Sequence, residues 1–245
     1  MKTVAIMQPT FMPWLGYFAL IDSVDEFVYL DDVQYTKRSW QSRNRIKANT
    51  KELMLSIGVE KKTTTNSIKD VRFADSYKHA KLMKTLRANL AKAPHFELCE
   101  FIIDGAYADS ENFLSRFNTG IIDRVADACG ITTKRTLAST LDIEAQEKAT
   151  RLLSFCQHLK ADHYLSPVGS YDYLSQYNPF SDSSVNLQFL NYHHPEYVQG
   201  KADFLPYMAC IDALAWTGAD QFLNLVQSGM RKPLDITDFQ LNQAA

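Results

Sequence analysis

The chain has 245 residues, a length that suits one large domain or one domain with a sizeable inserted part. Apolar residues make up 46% and charged residues 22%, which is globular composition and excludes a disordered chain. A formal net charge of -2 excludes whole-surface attraction to a polyanion, so nucleic acid is not an expected partner and any phosphate affinity must be local.

The chain opens with a short apolar run at residues 3–7, which suits a central strand buried on both faces. It is too short for a secretory signal, and no stretch approaches the roughly 20 apolar residues of a membrane span, so a cytoplasmic protein is expected. Pro9 and Pro13 then impose a loop, and residues 14–22 carry apolar side chains at helical spacing. Residues 26–30 read as a second buried strand, ended by Asp31 and Asp32. Strand, loop, helix, strand is the first half of a parallel α/β unit.

A polar, cationic stretch runs from Tyr35 to Lys47, a strand is expected at 53–59, and residues 61–66 read as a solvated turn or loop. Helices are expected over 75–93, over 96–103 beyond Pro94, and over 111–129, with Gly130 placed to end the last one. Residues 133–137 return to strand, 143–159 form an amphipathic helix, and 163–165 form a strand ending at Ser166. A last strand is expected at 185–192, followed by closing helices at 204–216 and 221–226. The sum is a single α/β domain over 1–245, a Rossmann-like mainly parallel sheet with a mostly helical section inserted at about 66–130. Cys99, Cys129, Cys156 and Cys210 are widely spaced, lack metal-ligand pairing, and read as buried free thiols. No metal site is expected.

Ligands of open parallel sheets bind beyond the carboxyl ends of the strands. Three strand ends therefore draw attention. After the first, Gln8, Pro9, Trp14, Gly16 and Tyr17 lie in a proline-fixed loop, where Gly16 permits close approach and a helix start offers free N–H groups. After the second come the carboxylates Asp31 and Asp32, then Tyr35, Arg38, Trp40, Arg43, Asn44, Arg45 and Lys47, an interleaving of cations and aromatic rings that suits phosphate or carboxylate beside a stacked ring. After the later strand, Ser166, Gly169 and Tyr173 border a small-residue turn, and His194 downstream is a candidate general base. There is no nucleophile-elbow serine, Walker loop or zincin helix.

The first loop is similar to the PxHxGH-type signature of nucleotidyltransferases and pantothenate synthetase, although Trp14 and Tyr17 stand near the places of its two histidines. As a whole the chain resembles the WbqC-like protein family of bacterial surface-polysaccharide (O-antigen) gene clusters. The resemblance is carried by Ile6-Met7-Gln8-Pro9 with Pro13-Trp14-Leu15-Gly16-Tyr17-Phe18, by the run Phe27 to Tyr35, and by the run Arg38 to Lys47. Echoes follow at Tyr164-Leu165-Ser166, Gly169, Tyr173-Leu174, His194-Pro195 and Tyr197, with Pro167 where the pattern suggests glycine. The resemblance implies a protein acting around nucleotide-linked or lipid-linked sugars.

Joined to the cationic, aromatic loop, it leads to the expectation of a transferase that acylates or aminoacylates an amino sugar carried on a nucleotide. Arg38, Arg43, Arg45 and Lys47 would hold phosphates or a donor carboxylate, Tyr35 and Trp40 would stack, Gln8 would bind a polar group, and Asp31 or Asp32 would orient or deprotonate the amine. The PxHxGH likeness fits acyl activation as an adenylate, with ATP as cofactor. The alternative is a non-catalytic protein binding a nucleotide sugar or a glycosyltransferase of the same pathway. Either reading leaves room for a homo-oligomer.

Overall fold

The computed structural model describes residues 1–61, 66–144 and 147–238. Its main sheet has six strands in the order β5-β2-β1-β6-β7-β8: β1 (Thr3–Met7), β2 (Glu26–Tyr29), β5 (Lys134–Leu137), β6 (His163–Ser166), β7 (Asn186–Tyr192) and β8 (Met230–Asp235). The first five run parallel, and β8 pairs antiparallel with β7. Alternation along β1 and β2 explains why their sequences are apolar throughout. Val4, Ile6 and Val28 face one core, while Ala5, Phe27 and Tyr29 face the other.

Helices α5 (Lys148–His158) and α6 (Tyr171–Gln176) cover the first face. The second is covered by α1 (Leu15–Asp22), α3 (Phe96–Asp109), α4 (Leu114–Ala128), α7 (Cys210–Thr217) and α8 (Ala219–Ser228). Helix α2 (His79–Leu90) adds Leu82, Met83, Leu86 and Leu90 to the same core. This is the expected α/β architecture, a mainly parallel sheet with a substantial helical insertion.

Three sequence expectations need correction. The cationic stretch is not all loop: Arg43–Ala48 forms β3, paired antiparallel with β4 (Lys51–Ser56) as a separate two-stranded hairpin. The insertion therefore begins before residue 66, with this hairpin. Nor does the chain close on helices alone, because β8 adds an edge strand whose Arg231, Lys232 and Pro233 disguise it in sequence. Helix α5 starts at Lys148 rather than 143, where the Glu147 carboxylate accepts from Ala149 N at 2.9 Å and Thr150 N at 3.2 Å. Helices α2, α4 and α7 also start three to six residues inside their expected limits, while α3 starts as expected and runs on to Asp109, and α8 starts two residues early. Residues 62–65 of the expected turn and 145–146 of the expected helix lie outside the described residues. Gly130 does follow the α4 C-cap, in the left-handed region at φ 81°. Among the described residues no helix is long and apolar enough to cross a membrane.

Candidate functional site at the sheet switch point

Chain order reverses between β1 and β6: β1 leads to β2 on one side, while β6 and β7 extend the sheet on the other. Loops leaving such neighbouring strands in opposite directions open a crevice at their carboxyl ends. A cleft of about 800 Å³ lies there, within the size range of small-molecule sites. Its walls come from four places: Gln8 and Thr10 beyond β1, Ser39 to Gln41 of the cationic loop, Lys148 and Arg151 on α5, and Pro167 to Tyr173 beyond β6.

The wall from the first two loops is held as one unit. Phe11 N donates to Trp40 O at 2.8 Å, and Gln41 Nε2 donates to Gln8 Oε1 at 2.7 Å. From α4, the buried Asn118 amide donates to Pro9 O at 3.1 Å and to Gln41 O at 2.8 Å. Asn44 Nδ2, also buried, donates to Phe11 O at 3.0 Å and Met12 O at 2.8 Å. These bonds satisfy loop carbonyls that would otherwise be buried without partners. They leave the Trp40 ring 48% exposed at the cleft.

The facing wall carries the charge. Lys148 Nζ sits 3.5 Å from the centre of the Tyr173 ring, a cation–π contact. Burial lowers its pKa from the ordinary lysine value, and the neighbouring Glu147 carboxylate acts the other way. Arg151 grips Asp32 bidentately, at 3.0 and 2.6 Å. Asp32 therefore holds an arginine at the rim. Among the described residues the cleft lining contains these two cations and no carboxylate. On its floor the Tyr164 hydroxyl is buried beside Ser166 without a hydrogen bond of good geometry. A Cβ on Gly169 would meet nothing within 4 Å, so this glycine opens directly onto free space.

A second, mainly apolar chamber of about 230 Å³ adjoins the cleft, and Met7, Thr10 and Trp40 line both. Pro13, Trp14, Tyr17, Asn44, Arg45 and Tyr207 complete it. Arg45 lies 5.8 Å from the Trp40 ring centre and pairs with Glu52 at 2.9 Å. Elsewhere, a cavity of about 360 Å³ lies beside Asn186 at the start of β7, at the opposite rim of the sheet, and is lined by no cation.

Of the residues singled out in the sequence, Gln8, Trp40, Gly169 and Tyr173 line the cleft, while Trp14, Tyr17, Asn44 and Arg45 line the chamber. The others have different surroundings. Asp31 is buried and accepts from Ser139 N at 2.9 Å and Ser139 Oγ at 2.7 Å, tying β2 to the turn after β5. Tyr35 is buried with its hydroxyl 2.7 Å from Ser42 Oγ. Lys47 is buried, its ammonium spent on the carbonyls of Gln199, Ala202 and Asp203 at 3.1, 2.9 and 2.6 Å. Arg38 is exposed with φ 58°, and Arg43 lies on β3 outside both spaces.

Pro9 is buried and gives its carbonyl to Asn118. Gly16 makes room for the Trp14 ring, which a Cβ would meet at 2.2 Å, so that ring covers the helix start expected to receive an anion. Ser166 is buried, with Oγ donating to Pro167 O at 3.3 Å. His194 stacks on Trp14 at 5.9 Å, where burial lowers its pKa and the Pro195 carbonyl acts the other way. It lines neither space.

Sequence reasoning missed Lys148 and Arg151, which sit on a helix remote from the conspicuous loops. Their i, i+3 spacing puts both on one helical face, and that was the available signal. All four cysteines are buried and free, and burial pushes Cys129 and Cys156 up to about 12, which removes them as nucleophiles. Among the described residues no three His, Cys, Asp or Glu side chains gather into a group that could hold a metal ion.

Sheet order and cleft position define a Rossmann-like α/β protein with a ligand-sized crevice at its switch point. The chain belongs to the WbqC-like protein family, whose model matches residues 8–223. It is 32% identical over 224 residues to the uncharacterized protein Rv1507c of Mycobacterium tuberculosis, a match covering 90% of this chain and 96% of that protein. No solved structure matches it. Family membership links the chain to bacterial surface-polysaccharide (O-antigen) biosynthesis.

Proposed function

We propose that the chain is a transferase of surface-polysaccharide biosynthesis that acylates or aminoacylates an amino sugar carried on a nucleotide, with the nucleotide sugar bound in the switch-point cleft. The observation that carries this reading is the pairing of Lys148 and Arg151 on one wall with the half-exposed Trp40 ring on the other. Two fixed cations suit a diphosphate, and an aromatic face suits a base or sugar ring. Gln8 contributes an amide nitrogen that makes no hydrogen bond among the described residues and is free for a sugar hydroxyl or carbonyl. Asp31 and Asp32 enter as positioning residues, Asp32 through Arg151 and Asp31 through the turn at Ser139. With ATP, the acyl group would be activated as an adenylate before transfer.

The test is incubation of purified protein with ATP, a panel of amino acids and short carboxylic acids, and a nucleotide-linked amino sugar, read by mass spectrometry. The expected result is an amide product with release of pyrophosphate in the activation step and AMP in the transfer step. Neither exchange of pyrophosphate into ATP nor amide formation across the panel would remove the transferase reading. A non-catalytic nucleotide-sugar-binding protein is favoured by one observation, the absence of any carboxylate or histidine from the cleft lining. Calorimetric binding of the nucleotide sugar without turnover would establish it.

A further inference from the structure

Two adjoining spaces that differ in their polar groups meet at the end of β1. The larger sets Lys148, Arg151 and the side-chain amides of Gln8 and Gln41 among mostly apolar walls, while the smaller is walled by Met7, Pro13, Trp14, Tyr17, Trp40 and Tyr207, with Arg45 as its only charged lining residue among the described residues. A single wholly polar ligand gains nothing from this division. A reaction joining a polar, anionic partner to an apolar one does, because each half then meets its own solvent-like surroundings.

Size narrows the occupant. An apolar cavity of about 150 Å³ is enough to hold benzene, so about 230 Å³ takes a ring-sized or branched aliphatic group together with a carboxyl. Charge narrows it further. The Arg45 guanidinium gives Nη1 to Glu52 at 2.9 Å and approaches the Tyr207 carbonyl with Nε at 3.4 Å, and its Nη2 has no partner among the described residues. That nitrogen can donate to a carboxyl oxygen at the chamber mouth. Thr10 lines both spaces, and its hydroxyl makes no hydrogen bond among the described residues.

From this geometry we infer that the smaller chamber is the acyl-group site, taking small aromatic or branched aliphatic carboxylic acids with a carboxyl oxygen against Arg45. This rests on the transferase reading, and it adds the donor's chemical class and its place. Trp40 is then a partition touched by both substrates, one on each face. Near Thr10 the sugar amine attacks the acyl carbon of the adenylate, the amide C–N bond forms as the acyl C–O bond to AMP breaks, AMP leaves, and the amine's proton passes to solvent.

Ligand-observed saturation-transfer NMR on the full-length protein tests this with phenylacetate and with benzylamine, which has a ring of the same size and the opposite charge. Phenylacetate should bind and benzylamine should not. Arg45→Gln should weaken phenylacetate at least about tenfold, the loss expected for a charge-assisted hydrogen bond. A nucleotide sugar such as UDP-N-acetylglucosamine, titrated into phenylacetate-saturated protein, should bind within about threefold of its affinity for free protein. Mutual displacement would mean one shared site and would overturn the inference. So would equal binding of the two ring compounds, or phenylacetate affinity indifferent to Arg45→Gln. Phenylacetate bound through Arg45 with no nucleotide-sugar binding would support the chamber while removing the function proposed for the cleft. Nucleotide-sugar binding without phenylacetate binding would do the reverse.

Discussion

Lys148 is placed to feel every anion that enters the cleft, and its surroundings make that contact sensitive to pH. Burial lowers its pKa against the opposing pull of Glu147, so it loses its charge at a lower pH than an exposed lysine. Anion affinity should therefore fall as pH rises through that lowered value, and calorimetry of UDP-N-acetylglucosamine across a pH series measures it. Lys148→Met keeps the stem against Tyr173 and removes the charge. It should weaken binding about ten- to hundredfold and flatten the pH profile. Asp31 illustrates the opposite case, a carboxylate conspicuous in sequence whose oxygens are held within the chain. Asp31→Ala should cost about 2–4 kcal/mol by urea denaturation, because it strands the Ser139 N–H. Lost activity at unchanged stability would instead assign Asp31 to the chemistry.

The strands divide into those that announce themselves and those that do not. Strands β1, β2 and β6 were legible because burial on both faces leaves apolar or aromatic runs such as Val4-Ala5-Ile6 and Phe27-Val28-Tyr29, and β7 because Leu187 and Phe189 alternate with their neighbours. Strand β3 was not, because Arg43, Asn44, Arg45 and Lys47 read as a solvated cationic loop. The polar ends of Asn44 and Lys47 meet partners that only the tertiary fold supplies. Edge strands add ionic ties of their own. Glu26 accepts from Lys2 Nζ at 2.8 Å and from Thr136 Oγ1 at 2.8 Å, and pairs with Lys134 at 2.8 Å, lacing β1, β2 and β5 together. Burial alone would raise its pKa, but the hydrogen bonds from Lys134, Lys2 and Thr136 outweigh that and bring it to about 2. Since the folded value lies below the unfolded one, this stabilisation is present at neutral pH and is lost as pH falls from about 4.3 towards 2. Glu26→Gln should cost about 1–2 kcal/mol at pH 7, discounted because Lys134 is 69% exposed. The gap between wild type and variant in urea midpoints should narrow on acidification.

For the whole molecule, the position of the cleft was more legible than its contents. Parallel strand ends predicted where Gln8, Trp40, Gly169 and Tyr173 would gather, because sheet order alone carries them to one rim. The charged wall was not predictable in the same way. Lys148 and Arg151 sit in an amphipathic helix whose nearness to the Gln8 loop depends on where β6 inserts beside β1, and no local pattern encodes that. The cleft as a whole is testable by filling it. Gly169→Phe places a ring in open space without left-handed strain, so it should abolish nucleotide-sugar binding while shifting the melting temperature by no more than about 2 °C. Intact binding would move the ligand elsewhere. Asn118 has a wider consequence. Beside the direct bonds between the first loop and the second, one amide on α4 grips both from outside, so the helical insertion behaves as a keystone set between two arches. Excising those helices to make a minimal sheet protein would let the arches splay and dissolve the crevice, although every residue lining it would still be in the chain.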